Sequence, residues 1–326
     1  MMAAPEILFP FLRPPDYNVK KYQLGCGQGD SMATRRQFLQ LLGLGLTAGA
    51  AGFQVAAPPA FVSPFRESSL GTLKIALLAD SHLPEDGGEC GPARQLAAAV
   101  AEINALCPPA DLVFVAGDLT ADGTAGALSL GKQILAALQT PVWVLPGEQD
   151  FLSGSTSLWE GFFGADRFSF THQGVHFVGF TPTIHNPADS AHVFHLTPAL
   201  HGWLARELRQ SAPETPLCLI SHAPPYRLFQ PWDWWTEGAE ALYELLAQRR
   251  EVFLLHGHVH QNITLHHQNL IFQGLRATAW PLPDVRLGCT TGRPSPEGTG
   301  RIGCGWMLLT INASGTGILT DQVWGV

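Results

Sequence analysis

The chain has 326 residues, 46% hydrophobic and 14% charged, with 27 acidic and 19 basic side chains and a formal net charge of -8. That length suffices for one large α/β domain with a full core, or for two small ones. Lysine and arginine never run beyond a pair, so binding to nucleic acid through phosphate neutralisation is not expected.

Residues 1–31 have no hydrophobic periodicity and read as a disordered upstream extension, with Met32 as the start of the protein proper. Thr34-Arg35-Arg36-Gln37-Phe38-Leu39 then precedes the apolar, Gly/Ala-rich run Leu41 to Ala51, and small residues follow near Val55-Ala56-Ala57. A basic start, a short apolar stretch and a small-residue exit make residues 32–57 an expected signal peptide, with 58–72 as linker and 73–326 as one domain. The Arg-Arg-x-Phe-Leu core resembles a twin-arginine export signal. It implies the twin-arginine machinery as a partner and a periplasmic or extracellular destination. Left uncleaved, the segment would anchor the chain at the membrane; its apolar run is shorter than the ~20 residues of a stable bilayer span. Without residues 1–57 the chain carries 14 basic and 24 acidic residues. The five cysteines left form no Cys-x-x-Cys pair, so a structural zinc site is not indicated. Cys289 and Cys304 flank the Gly/Pro-rich stretch 291–300 and are the expected disulfide pair in an oxidising compartment. Cys218, in a strand-like run, is expected to be a buried thiol.

From residue 73 the chain alternates strands and helices. Leu73–Ala79 reads as a buried strand that delivers Asp80-Ser81-His82, a carboxylate and an imidazole two residues apart. A helix is expected over 91–106, a strand over 112–116 ending in Gly117-Asp118, a helix over 125–138, and a strand over 142–145 ending in Gly147-Glu148-Gln149-Asp150. This rhythm predicts parallel pairing with functional residues gathered at the carboxyl edge of the sheet. A hairpin is expected around His172-Gln173-Gly174, with His172 and His176 as ordinary sheet histidines. Thr197-Pro198 opens a helix. Strand 216–220 delivers His222, helix 237–248 follows, and strand 252–255 delivers Gly257-His258-Val259-His260. Residues 262–275 and 304–325 read as further strands closing a second sheet.

The order Asp80-x-His82, Gly117-Asp118, Gly147-Glu148-Gln149, His222, Gly257-His258-x-His260 resembles the calcineurin-like metallophosphoesterase superfamily, whose pattern is Asp-x-His, Gly-Asp, Gly-Asn-His, His and Gly-His-x-His. The likeness covers about residues 73–275, including Leu196-Thr197-Pro198 with Trp203-Leu204 ahead of His222. It implies an α/β fold, a four-layer sandwich of two mixed β-sheets flanked by helices. It also implies a dinuclear centre in which Asp80, His82 and His260 hold one metal ion, Glu148, His222 and His258 the other, and Asp118 bridges them. Oxygen and nitrogen donors suit divalent or trivalent Mn, Fe or Zn. Two such ions ~3.5–4 Å apart would turn a bridging water into hydroxide for in-line attack on a phosphoester.

Two positions depart from that pattern. Glu148 stands where the family has Asn; as a third carboxylate it lowers the net charge of the centre and favours a more highly charged ion such as ferric iron. Gln149 stands where the family has the His expected to serve the leaving group, and an amide cannot donate a full proton. Asp150 is the remaining candidate for that role. Pro231-Trp232-Asp233-Trp234-Trp235, between two ligand loops, either packs its loop down or forms an aromatic wall for a base or sugar. The expected function is an exported metal-dependent hydrolase of small-molecule phosphoesters, with monoester, cyclic nucleotide, other diester and pyrophosphate all open. The alternative is a metal-holding protein of weak catalysis.

Overall fold

A computed structural model of the protein describes residues 71–85, 91–153, 155–184, 193–228, 234–282, 303–312 and 314–324. The expected extension and signal, almost all of the linker, Cys289 with its pairing to Cys304, and Pro231-Trp232-Asp233 lie outside the described residues.

In chain order the elements are β1 (Leu73–Leu78), α1 (Gly91–Asn104), β2 (Leu112–Ala116), α2 (Ala125–Leu135), β3 (Val142–Leu145), α3 (Thr156–Phe163), β4 (Arg167–His172), β5 (Val175–Phe180), β6 (Thr183–Ile184), β7 (Phe194–His195), α4 (Pro198–Leu208), β8 (Leu217–Ser221), β9 (Thr236–Glu237), α5 (Glu240–Leu246), β10 (Val252–His256), β11 (Ile263–His267), β12 (Leu270–Gly274), β13 (Gly305–Ile311) and β14 (Gly317–Val323). Five strands form one sheet in the order β14-β13-β1-β2-β3, and six form a second in the order β11-β12-β10-β8-β5-β4. Both are mixed. β1-β2-β3 and β5-β8-β10-β12 run parallel, and antiparallel hairpins supply every edge but that of β3.

The alternation of side chains along each central strand builds the layers. Leu73, Ile75 and Leu77 of β1, with Leu112 and Phe114 of β2, face Phe177, Cys218, Ile220, Phe253 and Leu255 of the other sheet. Their neighbours Ala76, Leu78, Val113 and Val115 face the opposite way, against Leu96, Val100 and Ile103 of α1 and Leu128 and Ile134 of α2. On the far side, Leu217, Leu219, Val252 and Leu254 pack under Leu200, Leu204 and Leu208 of α4 and Leu242 and Leu246 of α5. The result is helices, sheet, sheet, helices: the expected four layers. Thr197 caps α4 by accepting from the Leu200 amide, and Pro198 occupies its first turn. Cys218 is fully buried, and burial pushes its thiol up.

Three expectations need correction. Residues 304–325 do not join the second sheet; β13 pairs antiparallel with β1, Leu73 opposite Ile311, and so extends the first. The apolar alternation of β13 is satisfied there on both faces, with Met307, Leu309 and Ile311 between the sheets and Trp306 against α1. Periodicity shows which faces a strand buries, not which strand lies beside it. Second, the helix expected over 237–248 begins only at Glu240, because Thr236 and Glu237 form β9 in a small third sheet, β6-β7-β9, and Gly238 turns with φ of 79°. Third, the helix expected over 125–138 ends at Leu135, with Ala136 as its cap.

Candidate metal centre

Five parallel strands deliver the predicted residues from their carboxyl ends. β1 leads into Asp80 and His82, β2 into Asp118 and β3 into Glu148; across the sandwich, β8 leads into His222 and β10 into His258 and His260. They gather into two groups whose candidate ligand atoms lie within 4.8 Å of one another, Asp80, His82 and His260 in one and Asp118, Glu148, His222 and His258 in the other. In the first, His82 Nε2 lies 3.0 Å from His260 Nε2, which is 3.4 Å from Asp80 Oδ1. In the second, His222 Nε2 lies 2.9 Å from Glu148 Oε2, and His258 Nδ1 lies 3.3 Å from Glu148 Oε1 and 3.2 Å from His222 Nε2. Asp118 reaches both groups, with Oδ2 3.7 Å from His82 Nε2 and Oδ1 3.5 Å from His222 Nε2.

The backbone is bent to make this possible. Asp80, His82, Asp118, His258 and His260 all have positive φ, between 44° and 68°, a conformation that L-residues seldom adopt and that clusters at functional sites. Glycines allow the loops to close. A Cβ at Gly117 would overlap the His222 ring, one at Gly147 would overlap the Asp118 carboxylate, and one at Gly257 would come within 2.8 Å of Asp80 Oδ2. Asp80 itself accepts the His258 amide at 3.0 Å, tying the first ligand loop to the last.

The donor set fits cations. His260 Nδ1 donates to the Trp280 carbonyl at 2.7 Å and His222 Nδ1 to the Ala116 carbonyl at 2.8 Å. Each bond fixes the tautomer and turns an Nε2 lone pair inward, toward carboxylates and other imidazoles. Acceptors converging on acceptors repel unless protons or cations sit among them. His258 Nε2 is buried with no partner among the described residues.

Without cations, protons take that place. Burial would raise Asp80 and Glu148, yet neighbouring imidazoles hold both below the usual carboxylate range: chiefly His260 for Asp80, and His258 and His222 for Glu148. Burial and the Glu148 carboxylate push Asp118 well above that range. Burial would lower His222, but Asp118 and Glu148 hold it well above the usual imidazole value, whereas burial and His260 hold His82 well below it. Divalent cations would displace those shared protons.

Gln149 donates its backbone N–H to Asp118 Oδ1 at 3.0 Å, and its side-chain amide lies 3.4 Å from Glu148 Oε1. Asp150, the remaining candidate for the acid role, is buried. Its carboxylate is 1% exposed and accepts from the amides of Gly147, Leu119 and Thr120 and from the Thr120 hydroxyl, at 2.7–3.2 Å. It clamps the Asp118 loop to the Glu148 loop, and burial pushes it up to about 6 against those hydrogen bonds.

Aromatic rings flank the cluster. Trp234 meets His258 edge-on at 5.2 Å, whereas Trp235 is buried and donates its indole N–H to Glu237 at 3.4 Å. Sequence reasoning missed two others. Trp280 stacks on His82 at 4.5 Å, and Phe194 of β7 stands edge-on to His258 at 4.9 Å. Neither sits in a motif, and a backbone carbonyl such as that of Trp280 leaves no mark on a sequence.

Residues 73–262 match the family model described as calcineurin-like phosphoesterase. Among curated proteins, the chain is 23% identical over 251 residues to a 3′,5′-cyclic-nucleotide phosphodiesterase of Nostoc sp., covering 75% of this chain and 90% of that protein. It is 28% identical over 210 residues to a probable cyclic nucleotide phosphodiesterase of Rhodopseudomonas palustris, covering 59% and 73%. Among solved structures, a dimetal phosphatase from Danio rerio superposes with a TM-score of 0.59 at 15% identity, covering 77% of this chain and 96% of that one, a likeness of fold.

Proposed function

The chain belongs to the calcineurin-like phosphoesterase family, whose members use a dinuclear metal centre, and we propose that it is an exported phosphodiesterase acting on cyclic-nucleotide-type diesters. The observation that carries the reading is the pair of ligand groups joined through Asp118, one carboxylate oxygen toward each. In this reading Asp80, His82 and His260 hold one ion, Glu148, His222 and His258 the other, and Asp118 both, with Mn, Fe or Zn matching the donors. Bound there, the ions would supply Lewis acidity to a phosphoryl oxygen and lower the pKa of a water for attack on phosphorus. The protein's own residues do the rest. Asp80 orients the His258 loop, the Ala116 and Trp280 carbonyls keep the imidazoles in one tautomer, and Asp150 fixes the approach of Glu148 to Asp118. The cyclic-nucleotide names of both curated relatives and the Trp234 ring beside His258 support the choice of substrate.

Mn²⁺-loaded protein should hydrolyse 3′,5′-cyclic AMP and bis(4-nitrophenyl) phosphate, and should lose both activities on chelation. Full metal occupancy with no phosphoester turnover would reject this function in favour of a metal-holding role. Export is supported by Arg35-Arg36 ahead of Phe38-Leu39 and a short apolar run. Changing both arginines to lysine should strand the protein in the cytoplasm; undiminished export would remove that part of the proposal.

A further inference from the structure

The charge of the centre has an unusual balance. Three carboxylates, Asp80, Asp118 and Glu148, point into the two ligand groups, so a pair of divalent ions leaves one net positive charge. Asp150 adds a fourth carboxylate close enough to act on Asp118. Among the described residues, the charged groups that act most strongly on Asp80, Asp118, Glu148 and His222 are acids and imidazoles, with no lysine or arginine among them. A phosphate dianion entering this site would find no cationic side chain of that set to offset its second charge.

We infer that Glu148 biases this centre by substrate charge: by removing one unit of positive charge it takes from a dianionic monoester most of the advantage its second charge would give, so that a monoanionic phosphodiester is cleaved once and the monoester is released instead of being hydrolysed further. The inference rests on the phosphodiesterase reading above and deepens it. The reaction balances as diester monoanion plus water giving monoester dianion, one proton and the freed alcohol, which in a cyclic diester is a hydroxyl of the same product, with water forming the new P–O bond as the ester P–O bond breaks. Monoesters lose their second proton with a pKa of about 6, so at pH 7.5 the product has gained a charge that the substrate lacked. Coulomb attraction scales with the product of the charges. Each unit of charge removed from the centre by Glu148 therefore costs a dianion twice what it costs a monoanion. The Glu148 side chain is 18% exposed, which screens the effect without removing it. On this inference the monoester product is left for a separate phosphomonoesterase to consume.

The test uses Mn²⁺-loaded protein with metal content verified by elemental analysis. In wild type, calorimetry at pH 7.5 should find inorganic phosphate binding weakly, and bis(4-nitrophenyl) phosphate should be cleaved with kcat/KM roughly tenfold or more above that for 4-nitrophenyl phosphate. In Glu148→Gln, which keeps size and an oxygen donor, phosphate should bind roughly tenfold tighter and the diester preference should shrink. Tight phosphate binding by wild type, or comparable turnover of monoester and diester, overturns the inference without recourse to the variant. So does a metal-replete Glu148→Gln whose phosphate affinity is unchanged. Absence of diester turnover in wild type would instead reject the phosphodiesterase reading, while the calorimetric comparison would still decide whether Glu148 sets the charge preference.

Discussion

Among the described residues, Asp118 is the one side chain that reaches both ligand groups, Oδ2 toward His82 and Oδ1 toward His222. Asp118→Asn should therefore lower occupancy at both positions, whereas His82→Ala should empty mainly one. Elemental analysis after dialysis reads the difference, and two full equivalents in Asp118→Asn would remove it from the bridging place. Gln149 presents a different problem, one of protons. Its amide lies against Glu148 and cannot protonate a departing alkoxide. Gln149→His should raise the rate on alkyl esters by roughly tenfold or more, a modest share of what a general acid supplies, and leave nitrophenyl esters almost unchanged. An equal gain on both leaving groups would show that the imidazole acts on something other than departure.

The ligand loops are constrained by small spaces as much as by their polar residues. Gly147 lies directly against the Asp118 carboxylate, so Gly147→Ala must push the loops after β2 and β3 apart. That variant should fold, since the clash is confined to a loop, yet bind metal at least about tenfold more weakly, the range seen when residues supporting a ligand are lost. Unchanged metal affinity by calorimetry would contradict the contact. The sequence displays this scale unevenly. Strands β1, β2, β8 and β10 are legible because both faces are buried, which leaves near-continuous apolar runs ending in polar motifs. The seven candidate ligands are legible because motif and strand end coincide. The two-residue strands β6, β7 and β9 are not, since two residues carry no period. Nor is the partner of β13, which depends on contacts far along the chain, or the inward turn of Asp150, which its position beside Glu148 and Gln149 had made a candidate acid.

Away from the metals, the fold stores a sensitivity to acid. His176 of β5 is buried between the hydroxyls of Ser169 at 3.0 Å and Ser211 at 2.7 Å, and burial together with Arg249 lowers its imidazole to about 4. The folded protein thus favours the neutral ring, whereas an unfolded chain takes up a proton near 6.5. The stabilisation is complete above about 6.5 and is lost as pH falls from there toward 4. Urea midpoints should accordingly drop between pH 7.5 and pH 5 more steeply in wild type than in His176→Gln; parallel slopes would assign the acid sensitivity elsewhere. A last consequence concerns time. β1, which bears the first two ligands, is flanked by β2 soon after it is made, but its other neighbour, β13, comes almost a whole domain later. The indoles of Trp306 and Trp324, which donate at 2.8 Å to Glu102 on α1, arrive with it. On the ribosome, β1 must keep an open, hydrophobic edge until the β13-β14 hairpin clears the exit tunnel, a state exposed to mispairing. Completion of the first sheet therefore waits on synthesis of β13, and a chain stalled before Gly305 offers nascent-chain chaperones the very strand that positions Asp80 and His82.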